Sequence, residues 1–198
     1  MSLPKIFQVG FNKCGTRSLT EFFRRSGYRA AHWKGGKLAD DIMSSKAAGR
    51  VPLQNWSGTV LFTDLEKVTK TEMVEAYREF AYLDETYPDA HFLLNTRNVD
   101  DWLTSRMRHW NGTYFRDYMK HYNTRDPIAV LQQWKDDWFS HIDAVRTYFA
   151  DRPGKLIEFD LDRDDAQALT LRFDGILNLN PKKWGHHGRT RVTSLFGT

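Results

Sequence analysis

The sequence predicts a three-layer α/β/α fold with a mostly parallel central sheet. Short apolar runs of strand length alternate along the 198 residues with longer segments of helical spacing. Such alternation places a helical crossover between successive strands, which makes the strands parallel and requires helices on both faces of the sheet. A glycine-rich turn also joins the first strand to the first helix, as in α/β proteins that bind phosphate.

The N-terminal half begins with a strand, a glycine loop and a helix. Residues 5–9 are a short apolar run that ends at a glycine, and residues 16–25 repeat apolar side chains at helical spacing. A weaker helix is predicted at 35–49. The apolar run at 58–64 predicts a second strand, which ends on an acid. The next helix is predicted at 71–87, because a broad apolar face there is followed by a proline.

The C-terminal half continues the alternation. Residues 91–96 predict a third strand, and a helix is expected from about Asp100, where two early acids complement the helix dipole. A long helix is predicted at 126–150, because aspartate is a good N-cap and proline fits the first helical position. Residues 156–159 predict a fourth strand, and about 163–177 a final helix.

The composition is that of a soluble globular protein, with 40% hydrophobic and 27% charged residues, and we expect one domain over residues 1–198. The net charge of +4 suits an anionic small molecule and does not require nucleic acid. Cys14 is the single cysteine, which excludes an intramolecular disulfide and favours the cytoplasm. The chain as given has no apolar run near the roughly 18 residues of a membrane span, so no membrane partner is expected. The sequence leaves the oligomeric state open.

The loop after the first strand has the spacing of a phosphate-binding turn. Gly10 and Gly15 frame it, and backbone N–H groups at the start of the following helix would face a phosphate. This predicts a fold like that of P-loop NTPases. In the kinase form of the loop a lysine follows the second glycine. Here Thr16 and Arg17 follow it, and the only lysine, Lys13, lies inside the loop.

Segment 12–19 of this loop, Asn-Lys-Cys-Gly-Thr-Arg-Ser-Leu, resembles the 5'-phosphosulfate loop P-K-[SAC]-G-T-[TS] of sulfotransferases that use 3'-phosphoadenosine-5'-phosphosulfate (PAPS). Lys13, Gly15 and Thr16 match, whereas Asn12 replaces proline and Arg17 replaces a small or hydroxyl residue. The resemblance implies PAPS as co-substrate. The donor-binding residues that it implies in this segment are Asn12, Lys13, Cys14, Gly15, Thr16, Arg17 and Ser18.

A second anion site is predicted about eighty residues later, because PAPS carries a 3'-phosphate that ATP lacks. Arg97 follows the third strand and Ser105 lies two turns into the next helix, so both can converge on one phosphate. The segment resembles the family's 3'-phosphate motif R-[DN]-P-x-[DE]-x-x-x-S, with Val99 in place of proline. A structural ion pair between Arg97 and Asp100 or Asp101 is the alternative.

Transfer to an alcohol requires a group that accepts the hydroxyl proton. Asp64 is the first choice, because it follows the second strand beside the predicted phosphate loop. Glu66, His32 and His109 remain alternatives. Lys13 is expected to neutralise charge on the oxygen that leaves with the nucleotide.

The resulting hypothesis is metal-independent, in-line sulfuryl transfer to a hydroxyl or amine of a small-molecule or carbohydrate acceptor. The aromatic-rich stretch 102–122 fits either an acceptor or nucleotide surface or the protein core. The basic segment 182–191 resembles, in its position but not in its residues, the C-terminal segment that folds over the nucleotide in sulfotransferases. Two other interpretations stay open: a small-molecule kinase that uses ATP and Mg, and a silent nucleotide-binding module.

Overall fold

The computed structural model describes residues 3–185. Its strands are β1 (Ile6–Gln8), β2 (Ala30–His32), β3 (Leu61–Thr63), β4 (Glu66–Val68), β5 (Met73–Glu75), β6 (His91–Thr96) and β7 (Leu156–Asp160). Five of them form a fully parallel sheet in the order β2-β3-β1-β6-β7. β4 and β5 pair separately as an antiparallel hairpin.

Within residues 3–185, seven α-helices accompany the strands. They are α1 (Thr16–Arg25), α2 (Lys37–Ala47), α3 (Phe80–Thr86), α4 (Val99–Met107), α5 (Thr113–His121), α6 (Pro127–Phe149) and α7 (Ala166–Arg172). Short 3-10 helices occur at Lys34–Gly36, Gln54–Trp56, Ala76–Arg78, His109–Gly112 and Pro181–Lys183. None of the helices in the described part of the chain is both long and apolar enough to cross a membrane.

Side chains on the two faces of the sheet form two separate cores. In β1, Ile6 packs on one face and Phe7 on the other, because successive side chains of a strand point to opposite sides. The Ile6 face packs against α1 and α7, through residues such as Phe22 and Leu169. The Phe7 face packs against the remaining helices, including Trp134 of α6. The sheet therefore lies between two helical layers, and the predicted fold class is confirmed.

The four predicted strands are present, but the predicted helix at 71–87 is wrong over its first half. Met73–Glu75 is extended and pairs with Glu66–Val68. Thr69 stabilises the turn between them, because its Oγ1 accepts from the backbone N–H of Glu72 at 3.1 Å. Pairing with a neighbouring strand thus overrides the helical spacing of this segment, and the α-helix begins only at Phe80.

Three further elements differ from the prediction. β2 and α5 were not predicted: β2 has only three residues, and α5 lies in the aromatic-rich stretch whose role was left open. The last helix is shorter than predicted, because Asp165 caps it by accepting from the N–H of Ala168 at 2.8 Å. The basic segment 182–191 is described only as far as residue 185, so residues 186–191 lie outside the described residues.

The sheet topology reverses direction at β1. From β1 the chain moves through α1 to β2 on one side, and from β3 it later crosses to β6 on the other side. In open parallel sheets a ligand crevice forms at such a reversal, beyond the carboxyl ends of the strands. Here those ends carry the loop 10–15, Asp64 and Arg97.

Candidate active site

A cleft of about 680 Å³ opens at the carboxyl ends of β1, β3 and β6. It brings together nearly all the residues that the sequence assigned to a donor site and to proton transfer. The predicted residues that line it are Asn12, Lys13, Gly15, Thr16, Arg17, Ser18, Asp64, Arg97 and Ser105. The three alternative proton acceptors, His32, Glu66 and His109, line it as well.

The predicted phosphate loop is hydrogen-bonded to Asn95 of β6. The Asn95 Nδ2 group donates to the carbonyl oxygen of Cys14 at 2.7 Å and to that of Phe11 at 3.4 Å. Gly10 lets the two segments approach, because a Cβ at this position would overlap the backbone and side chain of Asn95. The loop therefore owes its shape to a neighbouring strand as well as to its glycines.

The first turn of α1 is open to an anion. The N-cap of α1 is Gly15, whose φ is 79°, and glycine has no side chain with which to cap the first N–H groups. Thr16 and Ser18 are buried beside this turn, whereas Arg17 is exposed. The arrangement provides hydroxyl, amide and guanidinium donors within one turn of helix.

Cys14 occupies a different environment from the other predicted donor-binding residues. Its side chain is fully buried in the core, where burial raises the pKa of the thiol. Cys14 does not line the cleft. Only its backbone is thus placed to contribute to the loop, and the predicted role is restricted to that backbone.

Arg97 connects the second predicted anion site to the loop. Its Nη1 donates to the carbonyl oxygen of Lys13 at 3.3 Å. Its Nη2 lies 3.8 Å from Asp101 Oδ2 and 3.9 Å from Asp162 Oδ1, which are long ion pairs to exposed carboxylates. The buried Nε has no hydrogen-bond partner among residues 3–185. The guanidinium therefore retains donor capacity for an anion, and the alternative structural ion pair to Asp101 is present but weak.

Asp64 follows β3 in a constrained position. Its φ is 59°, and its backbone N–H donates to Gln8 Oε1 at 2.8 Å. The carboxylate Oδ2 lies 3.4 Å from His32 Nε2, and the buried Oδ1 has no hydrogen-bond partner in the described part of the chain. Burial raises the pKa of Asp64 to about 6, although Lys13 opposes the shift. At neutral pH this carboxylate is therefore ionised and close to its pKa, which suits a general base.

The two histidines near the loop are uncharged at neutral pH. Burial lowers the pKa of both His32 and His109 to about 4. Nδ1 of His109 lies 3.5 Å from Nζ of Lys13, and Nδ1 of His32 lies 3.0 Å from Thr63 Oγ1. Burial and the neighbouring Arg17 also lower the pKa of Lys13. The positive charge in this part of the cleft thus belongs to the lysine and the arginines.

Beneath Asn12 lies a buried group of polar side chains. Glu66 is 4% exposed, and its Oε1 accepts from Tyr114 Oη at 2.7 Å and from Asn12 Nδ2. Its pKa is raised to about 8 by burial, which outweighs the opposing charge of Arg106. Glu66 is therefore engaged with the loop through Oε1, whereas its buried Oε2 has no hydrogen-bond partner among residues 3–185.

A model of the sulfotransferase domain family matches residues 5–152, which is more than half of the chain and includes the loop, Asp64, Arg97 and Ser105. The chain is a member of the sulfotransferase family. Among curated proteins no sequence matches it.

A solved structure of a sulfotransferase shares the fold of this chain. A sulfotransferase from Alicyclobacillus acidocaldarius superposes with a TM-score of 0.57 at 14% identity, covering 97% of this chain and 88% of the other. A gluconokinase from Sinorhizobium meliloti 1021 gives a TM-score of 0.40 at 15% identity, covering 88% of this chain and 92% of the other.

The aromatic stretch 102–122 of the sulfotransferase is divided between core and cleft. Tyr118 is fully buried in the core, and Tyr114 is buried at the floor of the cleft. Trp110 is 44% exposed, and its ring centroid lies 5.4 Å from that of Trp33. Both indoles line the cleft. Core packing thus explains part of the stretch, whereas Trp110 belongs to the site.

Sequence reasoning missed several site residues of this sulfotransferase, among them Trp33, Asn95 and Arg106. Trp33 follows the unpredicted β2, so nothing marked it as near the loop. Asn95 is a polar residue inside an otherwise apolar strand, which was a usable signal. Arg106 lies immediately after Ser105 in the motif segment, and its burial depends on contacts with α5 and α6.

Proposed function

We propose that this sulfotransferase transfers the sulfuryl group of PAPS to a hydroxyl, or an amine, of a small-molecule or carbohydrate acceptor, without a metal ion. The observation that carries the proposal is the contact between the two predicted anion sites, where Arg97 donates to the backbone of Lys13 at 3.3 Å. ATP has no 3'-phosphate, so a second cationic site beside the loop favours PAPS.

The donor-binding roles follow from the two ends of the cleft. Thr16, Ser18, Arg17 and the N–H groups of the first turn of α1 would hold the 5'-phosphate side of the donor. Arg97 and Ser105 would hold the 3'-phosphate, which is supported by the long ion pairs of Arg97 Nη2 to Asp101 and Asp162. The residues at both ends therefore fit the donor that the family resemblance implies.

Catalysis would use two groups on opposite sides of the transferred sulfur. As the acceptor oxygen bonds to sulfur, the bond from sulfur to the phosphate oxygen breaks, and Lys13 stabilises the charge on that oxygen. The acceptor proton passes to Asp64, which lines the cleft. Both Lys13 and Asp64 line the cleft, which supports these roles.

The acceptor would enter beside Trp33 and Trp110. Their exposed faces suit stacking on the flat ring of a sugar or a phenol. The location of this reaction in the cytoplasm, and the extent of one domain over residues 1–198, stay predictions from the sequence.

A kinase using ATP and Mg is the second candidate. One observation favours it, since Asp64 at the end of β3, beside β1, is where a P-loop kinase holds magnesium. The position of Lys13 inside the loop counts against it.

Paired labelling tests the proposal. The protein is incubated with a panel of phenols, alcohols, amines and oligosaccharides, either with ³⁵S-labelled PAPS or with γ-³²P-labelled ATP and Mg. We expect ³⁵S transfer to at least one acceptor, retained in the presence of a chelator. Transfer of ³²P alone would establish the kinase. Binding of PAPS without transfer to any acceptor would favour the silent module.

A further inference from the structure

A fully buried arginine lies below the phosphate loop. Arg106 is 1% exposed, and its guanidinium lies 4.5 to 5.6 Å from the centroids of five aromatic rings. Those rings belong to Phe11, Trp102, Tyr114, Tyr118 and Trp134. A buried cation is costly unless charge and hydrogen bonds compensate it. The arginine therefore requires partners that cannot move away.

Two acidic side chains and two phenols surround the guanidinium; Glu75, whose pKa is lowered, supplies the charge, whereas Glu66, whose pKa is about 8, is mostly protonated at neutral pH. Arg106 Nη2 lies 3.7 Å from Glu66 Oε2 and 3.9 Å from Glu75 Oε1. The same nitrogen donates to Tyr114 Oη at 2.9 Å and to Tyr118 Oη at 2.8 Å. Glu66 is thereby fixed at the end of the group nearest the loop.

Asn12 joins this group to the loop. Its side-chain Nδ2 donates to Glu66 Oε1 and, at 3.1 Å, to Tyr114 Oη. Its backbone carbonyl accepts from Trp102 Nε1 at 3.1 Å. Asn12 is 4% exposed, so both its side chain and its backbone are held by buried partners.

The next residue has a strained backbone. Lys13 has a φ of 63°, which costs a non-glycine residue about 1 kcal/mol or more and persists only where neighbouring contacts enforce it. The contacts of Asn12 precede this residue, while the bonds from Arg97 to Lys13 and from Asn95 to Cys14 hold the chain at and after it. Asn12 therefore anchors the N-terminal side of the strained turn.

We propose that Asn12 is a positioning residue, which fixes the phosphate loop and the direction of Lys13 by hydrogen-bonding the buried Glu66–Arg106 pair. A proline at position 12, as in the family motif that the loop resembles, has no side-chain donor for Glu66. In this chain Glu66 acts as the acceptor of that anchor, whereas proton acceptance belongs to Asp64. The inference rests on the proposed function for the identity of the ligand.

Four variants test the anchor: Asn12→Ala, Asn12→Asp, the double variant Asn12→Asp/Glu66→Gln, and Asn55→Asp as control. The double variant restores an acid–amide pair in reverse and keeps the local charge of the unmutated protein. The control makes the same substitution at an exposed asparagine outside the cleft. Binding of adenosine 3',5'-bisphosphate is measured by calorimetry at about pH 9, which lies above the pKa of about 8 of Glu66 in the unmutated protein. Unfolding midpoints and kcat with PAPS are recorded in parallel.

We expect Asn12→Ala and Asn12→Asp to weaken binding of the bisphosphate at least tenfold, while each still folds. The double variant should return the Kd and kcat to within about threefold of the unmutated values, and Asn55→Asp should not change the Kd. A purely structural role would lower the unfolding midpoints and leave the Kd of the folded protein unchanged. That result, or a double variant as weak as Asn12→Asp, would overturn the proposal. If the double variant recovers the Kd but loses kcat a hundredfold, the anchor is supported, but Glu66 is the proton acceptor and the assignment of that role to Asp64 is wrong.

The outcome for the unmutated protein separates this inference from the proposed function. If that protein binds ATP rather than the bisphosphate, the proposed function fails, and the same four variants are compared with ATP as the probe. The proposal that Asn12 is an anchor is then supported if the double variant restores ATP binding and overturned if it does not. If neither nucleotide binds, the loop does not hold phosphate and both proposals are overturned.

Discussion

Nη1 of Arg97 donates to the carbonyl oxygen of Lys13 at 3.3 Å, and this hydrogen bond joins residues 84 positions apart in sequence. It joins the strand end that carries the predicted 3'-phosphate site to the loop that carries Lys13, the proposed catalytic lysine. Because the bond uses only one of the five N–H donors of the guanidinium, others remain for a ligand. The two predicted anion sites are therefore in direct contact in the protein without a ligand.

Replacing Lys13 by alanine should abolish sulfuryl transfer and leave the fold intact. Loss of a charge that stabilises the leaving oxygen should lower kcat by about 10²- to 10³-fold. The measurement is kcat with PAPS, together with the unfolding midpoint. The control is Lys70→Ala, at an exposed lysine outside the cleft. Retained kcat in Lys13→Ala would contradict the role given to this lysine.

Substitution at Arg97 should remove the preference for a 3'-phosphate. Arg97→Ala should weaken the binding of adenosine 3',5'-bisphosphate at least tenfold, because charge-assisted contacts to the 3'-phosphate are lost. The affinity for adenosine 5'-phosphate should change less. Ser105→Ala should also weaken the binding of the bisphosphate, but by a smaller factor, since a hydroxyl is a neutral donor. Calorimetry with both nucleotides checks this, with Arg25→Ala as the exposed control. An equal loss of affinity for both nucleotides would show that Arg97 does not contact the 3'-phosphate.

The pH dependence of turnover should report on Asp64. Its pKa is raised to about 6, so the carboxylate becomes available as pH rises, and kcat/KM should increase through about pH 6 and then level off. Asp64→Asn should lower kcat by about 10²- to 10⁴-fold at neutral pH. Asp151→Asn, at an exposed acid outside the cleft, is the matched control. A rise through pH 6 that survives in Asp64→Asn would assign the titration to another group.

Acid should destabilise the protein through His141. This side chain is 3% exposed, and its Nε2 donates to the carbonyl of Val9 at 2.7 Å; burial lowers its pKa to about 4. Between pH 6.5 and 4 the unfolded chain binds a proton that the folded chain does not, so stability is present above pH 6.5 and is lost as pH falls. The loss approaches about 3 kcal/mol.

Urea unfolding at several pH values measures this effect. In His141→Gln the free energy of unfolding should depend less on pH between 6.5 and 4 than in the unmutated protein. Parallel curves for the two proteins would show that His141 does not titrate in this range.

The parts of the site that could be predicted from the sequence are those with short-range signals. The spacing of Gly10 and Gly15 between a strand and a helix marks the loop, and Arg97 and Ser105 are recognisable as one segment. The fold class was predictable for the same reason, since apolar strands and helical segments alternate along the chain. Local patterns were therefore enough to predict both anion sites.

The rest depends on contacts between distant segments. The hairpin of β4 and β5 forms by pairing, so its second strand was assigned to a helix. Burial of Arg106 requires rings from β1's loop, α4, α5 and α6 together, and no single segment indicates it. Cys14 shows the converse, because its motif position predicted a ligand contact and its side chain lies in the core.

The most direct test of the proposed function is the shift in unfolding midpoint on adding adenosine 3',5'-bisphosphate, compared with ATP and Mg at equal concentration. A ligand that binds the folded state raises the midpoint, and at equal concentration the tighter ligand raises it more. PAPS-dependent sulfotransfer predicts the larger rise with the bisphosphate, and loss of that rise in Arg97→Ala. A larger rise with ATP and Mg would contradict it.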